Sequence, residues 1–210
     1  GAGAGGLAGA GAVYVLFGAA SFPAQIDLDT LDGGDGFRLD GAAEEEGVGA
    51  AVAHAGDVNG DGFDDLLIGA PNAPAGNNAA AGRAYLVFGR SAFAPQLSLA
   101  GLAAGDGLTI AGIAAESYAG HAVATAGDVN GDGYDDIAIA APGVSRSGAT
   151  EAGAVYVLFG KPNLPADLDL GDLSGATGLR VEGAAGGDHA GQAVAGGDVN
   201  GDGRGDLILG

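Results

Sequence analysis

One nine-residue stretch occurs three times in this chain with little change. It reads Asp57-Val58-Asn59-Gly60-Asp61-Gly62-Phe63-Asp64-Asp65 at first. It returns as Asp128-Val129-Asn130-Gly131-Asp132-Gly133-Tyr134-Asp135-Asp136, and again as Asp198-Val199-Asn200-Gly201-Asp202-Gly203-Arg204-Gly205-Asp206. The copies begin 71 and then 70 residues apart. Recurrence at such a period means a row of like units, each burying its apolar face against its neighbours. The one-residue shortfall lies just before the third copy, where Ala195-Gly196-Gly197 stands for Ala124-Thr125-Ala126-Gly127.

Apolar positions keep the same step. Tyr14, Tyr85 and Tyr156 are in phase, as are Ile26, Leu97 and Leu168, and Phe37, Leu108 and Leu179. Each unit reads as short strands. A small-residue strand (Ala50–Ala53, Ala122–Ala124, Ala193–Ala195) enters the acidic stretch, and an apolar run (Leu66–Ile68, Ile137–Ile139, Leu207–Leu209) leaves it. After a variable Gly, Pro and Asn linker come Val13–Phe17, Tyr85–Phe88 and Val155–Phe159, apolar on both faces and so expected to be covered on both. A last segment alternates, at Phe37–Leu39, Leu108–Ile110 and Leu179–Val181, which predicts a half-exposed outer strand. The fold class is therefore all-β, with blades of about four antiparallel strands in the manner of a β-propeller. The 45 glycines suit inner strands packed close to an axis. In-register aromatic and β-branched positions argue against low-complexity disorder, and no 3.6-residue apolar period supports helix.

The acidic stretch carries oxygen-bearing side chains at its positions 1, 3, 5 and 9, with Gly at 6 to permit a sharp bend. That is the donor set a hard cation such as Ca²⁺ requires. An EF-hand is excluded because its position 12 must be a bidentate Glu, and here it is Ile68, Ile139 or Leu209. Mg²⁺ fits less well, since it gives up water reluctantly. Formal charge is −20, from 27 acidic against 7 basic residues, and three Ca²⁺ would offset six of those charges. Such a surface repels nucleic acid and anionic membranes. No run reaches the length of a membrane span. Cysteine is absent, so disulfides and thiolate sites are excluded. Calcium sites of low affinity are typical of extracellular modules, which points to a secreted or cell-surface setting. With no Met and no signal peptide, the sequence reads as a processed or excised piece.

The run Gly56 to Pro71, Gly-Asp-Val-Asn-Gly-Asp-Gly-Phe-Asp-Asp-Leu-Leu-Ile-Gly-Ala-Pro, resembles an FG-GAP repeat. Such repeats build the propeller of integrin α subunits and occur in many bacterial secreted proteins. Ala140-Ala141-Pro142 keeps the end of the signature, while Val48-Gly49, Ala119-Gly120 and Ala190-Gly191 keep its Gly and lose its Phe. The resemblance implies that each acidic stretch joins the first two strands of a blade on one rim. It implies three Ca²⁺ sites. Their ligands would be Asp57, Asn59, Asp61, the Phe63 carbonyl and Asp65; Asp128, Asn130, Asp132, the Tyr134 carbonyl and Asp136; and Asp198, Asn200, Asp202, the Arg204 carbonyl and Asp206.

The units divide as residues 1–40, the outer half of a blade; 41–111 and 112–182, complete blades; and 183–210, the inner half of another. Rings of three blades are not expected. The chain is then an arc of a larger propeller, or two copies self-associate to close a ring of six. The function expected is non-enzymatic: an adhesion or interaction module with a protein or glycan ligand on the rim opposite the acidic loops. A passive spacer, and the accessory propeller of a hydrolase, are the alternatives.

Other motifs carry little. Arg204-Gly205-Asp206 lies inside the third loop, where Asp206 is an expected ligand. Gly1–Gly6 matches a dinucleotide fingerprint but precedes a strand, so it reads as a loop. His54, His121 and His189 sit at different places relative to their loops and build no shared site in sequence. Glu44-Glu45-Glu46 reads as a solvated turn, with Glu116 and Asp188 near the same phase; Asp64 and Asp135 read as solvent-facing or backbone-capping.

Overall fold

The computed structural model describes residues 7–210, so the Gly1–Gly6 loop lies outside the described residues. Fourteen strands and two one-turn 3-10 segments, Leu28–Thr30 and Leu170–Asp172, make up its regular structure. The fold is all-β. Strands β1 (Ala12–Leu16) and β2 (Gly36–Asp40) pair antiparallel. A meander follows in β3 (Ala51–Gly56), β4 (Asp65–Ala70), β5 (Arg83–Val87) and β7 (Gly107–Ala111), with β6 (Gln96–Ser98) set apart. A second meander is β8 (Val123–Gly127), β9 (Asp136–Ala141), β10 (Ala154–Leu158) and β12 (Gly178–Glu182), with β11 (Asp167–Asp169) set apart. Finally β13 (Val194–Gly197) pairs with β14 (Asp206–Leu209). The innermost strands β3, β8 and β13 stand side by side, which makes these sheets propeller-like blades.

Packing follows from the two-residue period of a strand. On β5, Ala84 and Leu86 face the next sheet while Tyr85 and Val87 face the previous one. On β10, Tyr156 and Leu158 point back toward the first meander, and Val155 and Val157 point on toward β13 and β14. Both faces of β5 and β10 are covered, as their apolar runs require, whereas on β1 only Val13 is buried and Leu16 is exposed. The core is thus a set of layers between blades. At the inner end Gly120 has φ +85, and a Cβ there would meet the Arg83 carbonyl. Glycine is obligatory at that point, while fully buried Ala119 occupies the position where the repeat signature has Phe.

The outer strands depart from expectation. β2 is mostly buried rather than alternating, because β6 of the following unit lies parallel along it, Leu39 opposite Leu97. β11 covers β7 in the same way, Leu168 beside Ile110. Each unit therefore lends a strand to the blade before it. β12, with no such cover among the described residues, exposes Leu179. The missing residue before the third loop also finds its place. β3 and β8 each carry a bulge, with Ala55 and Ala126 as the extra residues, whereas β13 pairs with β14 without one.

The solvated-turn expectation fails for Glu46, although Glu44 and Glu45 are exposed. Glu46 is fully buried; one carboxylate oxygen accepts from Ala42 N and Ala43 N at 2.7 and 2.9 Å, and the other from the Tyr85 hydroxyl at 2.7 Å. A buried carboxylate persists only when so satisfied. One repeat on, Ser117 takes its place and donates to Ala114 O and Ala81 O, so the buried Tyr156 hydroxyl has no partner among the described residues. Tyr85→Phe should therefore cost about 1.5–3 kcal/mol, the usual worth of a hydrogen bond to a charged group. Tyr156→Phe should be neutral or stabilising. Urea unfolding of the two variants checks this; equal losses would show that the second hydroxyl is paired after all.

Candidate metal centre

Each acidic loop closes the hairpin between the first two strands of its sheet. The loop begins where β3 or β8 ends and stops at the first residue of β4 or β9. The Asp57 carboxylate turns inward and accepts from Gly60 N, Asp61 N and Gly62 N at 2.8, 3.0 and 2.9 Å. Asn59 Oδ1 accepts from Asp61 N, and Asp61 Oδ1 from Phe63 N, both at 2.9 Å. Asn59 Nδ2 donates to Asp61 Oδ2. The second loop repeats all of this on Asp128, Asn130 and Asp132; the third repeats the backbone bonds on Asp198, Asn200 and Asp202, but its Asn200 Nδ2 donates to Asp206 Oδ1 at 3.4 Å. The position-6 glycines, Gly62, Gly133 and Gly203, have φ of +90, +91 and +85, the bend anticipated from the sequence.

The position-9 residues lie beneath the loops. Asp65 accepts from Val58 N at 3.0 Å and Gly89 N at 2.9 Å; Asp136 accepts from Val129 N at 3.0 Å and Gly160 N at 2.8 Å. One carboxylate therefore ties the start of the loop to the end of the third strand. Burial pushes both carboxyls up to about 6; the N–H donors oppose the shift, and the position-5 and position-1 aspartates add to it. In the third loop Asp206 accepts from Val199 N at 2.8 Å and Asn200 N at 3.3 Å. There the N–H of Gly203 leads in drawing the exposed Asp198 carboxyl below its ordinary range.

Among the described residues no three acidic or imidazole groups converge as a metal-holding cluster. Their oxygens are turned first to backbone N–H groups. Yet Asp61 and Asp65 accept only one bond at each oxygen, and a carboxylate oxygen offers about two acceptor sites. Asn59 Oδ1 likewise accepts one. The remaining lone pairs are all hard oxygens, so the donor chemistry suits Ca²⁺.

Position 8 has a role that the sequence left between solvent and capping. Asp135 Oδ2 accepts from Asp57 N at 2.9 Å, and Asp135 N donates to Asp57 O at 3.3 Å. The contact spans two blades. Gly205 N similarly donates to Asp128 O at 3.0 Å. The Tyr134 ring covers Gly60, where any side chain would collide with it. Neighbouring loops therefore hold each other. The signal was present only as position within the repeat, because the partner lies 78 residues away. Asp64 is exposed.

Residues 48–87 and 119–158 match a family model described as FG-GAP repeat. Phosphatidylinositol-glycan-specific phospholipase D of Bos taurus is 33% identical over 154 residues, covering 73% of this chain and 17% of that protein. Integrin alpha-5 of Xenopus laevis is 32% identical over 163 residues, covering 73% and 14%. Integrin alpha-PS2 of Drosophila melanogaster is 36% identical over 134 residues, covering 61% and 9%. The chain thus spans less than a fifth of the length of each of these relatives.

The raised carboxyls fix a pH dependence. An acid with a folded pKa above its unfolded value of 3.8 binds more protons when folded, so its contribution to stability falls as pH rises from near 4 through about 6. With divalent cations chelated, the melting temperature should decline across that window. Asp65→Asn/Asp136→Asn should flatten the decline. A melting temperature that instead climbs steadily from pH 4 to 6 in chelator contradicts it.

Proposed function

This is a chain of FG-GAP repeats, and from that premise we propose that it is a calcium-binding, non-catalytic propeller segment of an extracellular protein, working as an adhesion or interaction module. The observation that carries this reading is the acidic loop, its position-1 carboxylate held three times by the same backbone N–H groups, with spare oxygen lone pairs on the neighbouring side chains. Ca²⁺ would be held by Asp57, Asn59, Asp61, the Phe63 carbonyl and Asp65, and by Asp128, Asn130, Asp132, the Tyr134 carbonyl and Asp136. The third set is Asp198, Asn200, Asp202, the Arg204 carbonyl and Asp206. The ion would neutralise carboxylates that otherwise repel one another, so its binding free energy becomes folding free energy. A rigid arc with exposed loops then serves recognition, and an extracellular setting supplies the ion in abundance.

A second reading is favoured by the similarity to phosphatidylinositol-glycan-specific phospholipase D. Here the segment is the accessory propeller of a hydrolase whose catalytic part lies elsewhere. Both readings make the same demand on the metal loops.

Calcium should raise the melting temperature progressively with the logarithm of its free concentration, the unfolding free energy gaining about 2.7 kcal/mol per site at a hundredfold excess over Kd. Titration calorimetry should count three sites. A protein that takes up no calcium, or melts identically in chelator, sinks the reading. Asp135→Ala should weaken the first loop several-fold by releasing Asp57 N, and leave the third loop unchanged. Equal weakening of all loops would show that Asp135 acts through global stability instead.

A further inference from the structure

At the opposite ends of β4 and β9 from the metal loops, the chain opens a cavity of about 400 Å³ whose lining includes Tyr118, Glu151 and His189. That volume lies within the ~300–1,000 Å³ of small-molecule sites. These three residues share an unusual backbone. Their φ angles are +56, +52 and +50, a left-handed conformation that is costly for side chains of this size. The repeat shows what the fold itself needs there. One unit earlier than Tyr118 the same position is Gly47, with φ +70, and one later it is His189. Glu151 corresponds to Ala80 and, before that, to Gly9, with φ +66. Glycine satisfies both positions at no steric cost. Glu45 and Glu116 are left-handed too, at a position that is Gly187 in the third copy, but they do not line the cavity; what sets this place apart is that three such side chains surround one space.

The lining defines the ligand. Tyr118, an exposed ring, and the Pro71 and Pro142 rings offer flat apolar surface. Asn72, Gln192 and His121 offer planar donors and acceptors. Glu151 is the one carboxylate of the lining and faces His189 Nε2 at 3.7 Å; His189 Nδ1 stands 3.4 Å from the Pro142 carbonyl. Among the described residues the lining has no Lys or Arg to meet an anionic ligand, and a chain of net charge −20 repels one. Strand ends rather than a strand edge form this rim, so an extended peptide cannot add by backbone pairing, and one aromatic ring is too few for a polyproline groove. We propose that this cavity binds a neutral saccharide, one ring stacked on Tyr118 with its hydroxyls shared among Asn72, Gln192, His121 and Glu151. The proposal rests on the reading of the chain as an interaction module and is independent of calcium.

Saturation-transfer NMR on the full chain, with a panel of neutral hexose and N-acetylhexosamine disaccharides at millimolar concentration, tests it. At least one should bind, and Tyr118→Gly should weaken that binding by an order of magnitude or more. The same substitution should leave the melting temperature unchanged or higher, because it restores the residue found at Gly47. Tyr118→Asn, which also tolerates a left-handed backbone, should behave alike. Silence across the panel overturns the proposal, as does binding that survives both substitutions. A fall in melting temperature in both variants assigns the ring a packing role and also overturns it. Capture of proline-rich or arginine-bearing peptides in place of saccharides rejects this inference while leaving the interaction module standing.

Discussion

The buried carboxylate at the ninth position of each complete loop is the group on which blade geometry depends. Asp136 receives one N–H from the loop's second residue and another from Gly160 beyond the third strand. Three strands are fixed relative to one another through two oxygens. Hydrogen bonds to a charged acceptor are stronger than neutral ones, and they also satisfy donors that would otherwise be stranded. The cost is a desolvated negative charge, visible as a carboxyl pushed up to about 6. A neighbouring divalent cation offsets that cost without giving up the N–H bonds, since each oxygen retains an acceptor site. Structural tie and metal ligand are thus compatible roles for one residue.

The third loop shows what the tie contributes. Its strand lacks the bulge residue, and no third strand supplies a donor like Gly160 among the described residues. Asp206 is correspondingly half-buried where Asp136 is fully buried. Local loop geometry nevertheless survives: Asp198 holds the same three N–H groups as Asp57 and Asp128. The turn is therefore encoded within nine residues, and its anchorage is supplied by the blade.

Sequence reasoning reached what is local or periodic. The all-β class, the glycine bend and the two-sided burial of β5 and β10 all follow from residue type and spacing. It missed what depends on which unit touches which. Leu97 shows in the sequence only as a position in phase with Ile26 and Leu168, yet its strand β6 pairs with β2 of the preceding blade. Glu46 looks like one of three solvated acids until Tyr85, 39 residues away, is placed beside it. His121 and His189 share no phase with the loops, but the turn of the repeat brings them to one cavity. Strain at Tyr118 has no sequence signature at all; it becomes legible only when φ is set beside Gly47 one repeat earlier.

Both candidate sites are ends of the same strands. β4 runs from Asp65 in the loop to Ala70, and Pro71 and Asn72 then enter the opposite rim. Six residues of strand span about 20 Å. β9 makes the same traverse between Asp136 and Pro142, and every residue of it is buried. A strand packed on both faces does not bend independently at its two ends, because interiors at crystal-like density transmit displacement. Order at the rim of the acidic loops therefore bears on where the residues lining the opposite cavity stand. The contact of Asp135 with Asp57 extends that order sideways, so that each loop steadies the one before it. A ligand in the Tyr118 and His189 cavity, whose lining comes from three successive units, gains most from this arrangement. Its contacts come from different units, and only the fixed angle between blades keeps them at one spacing.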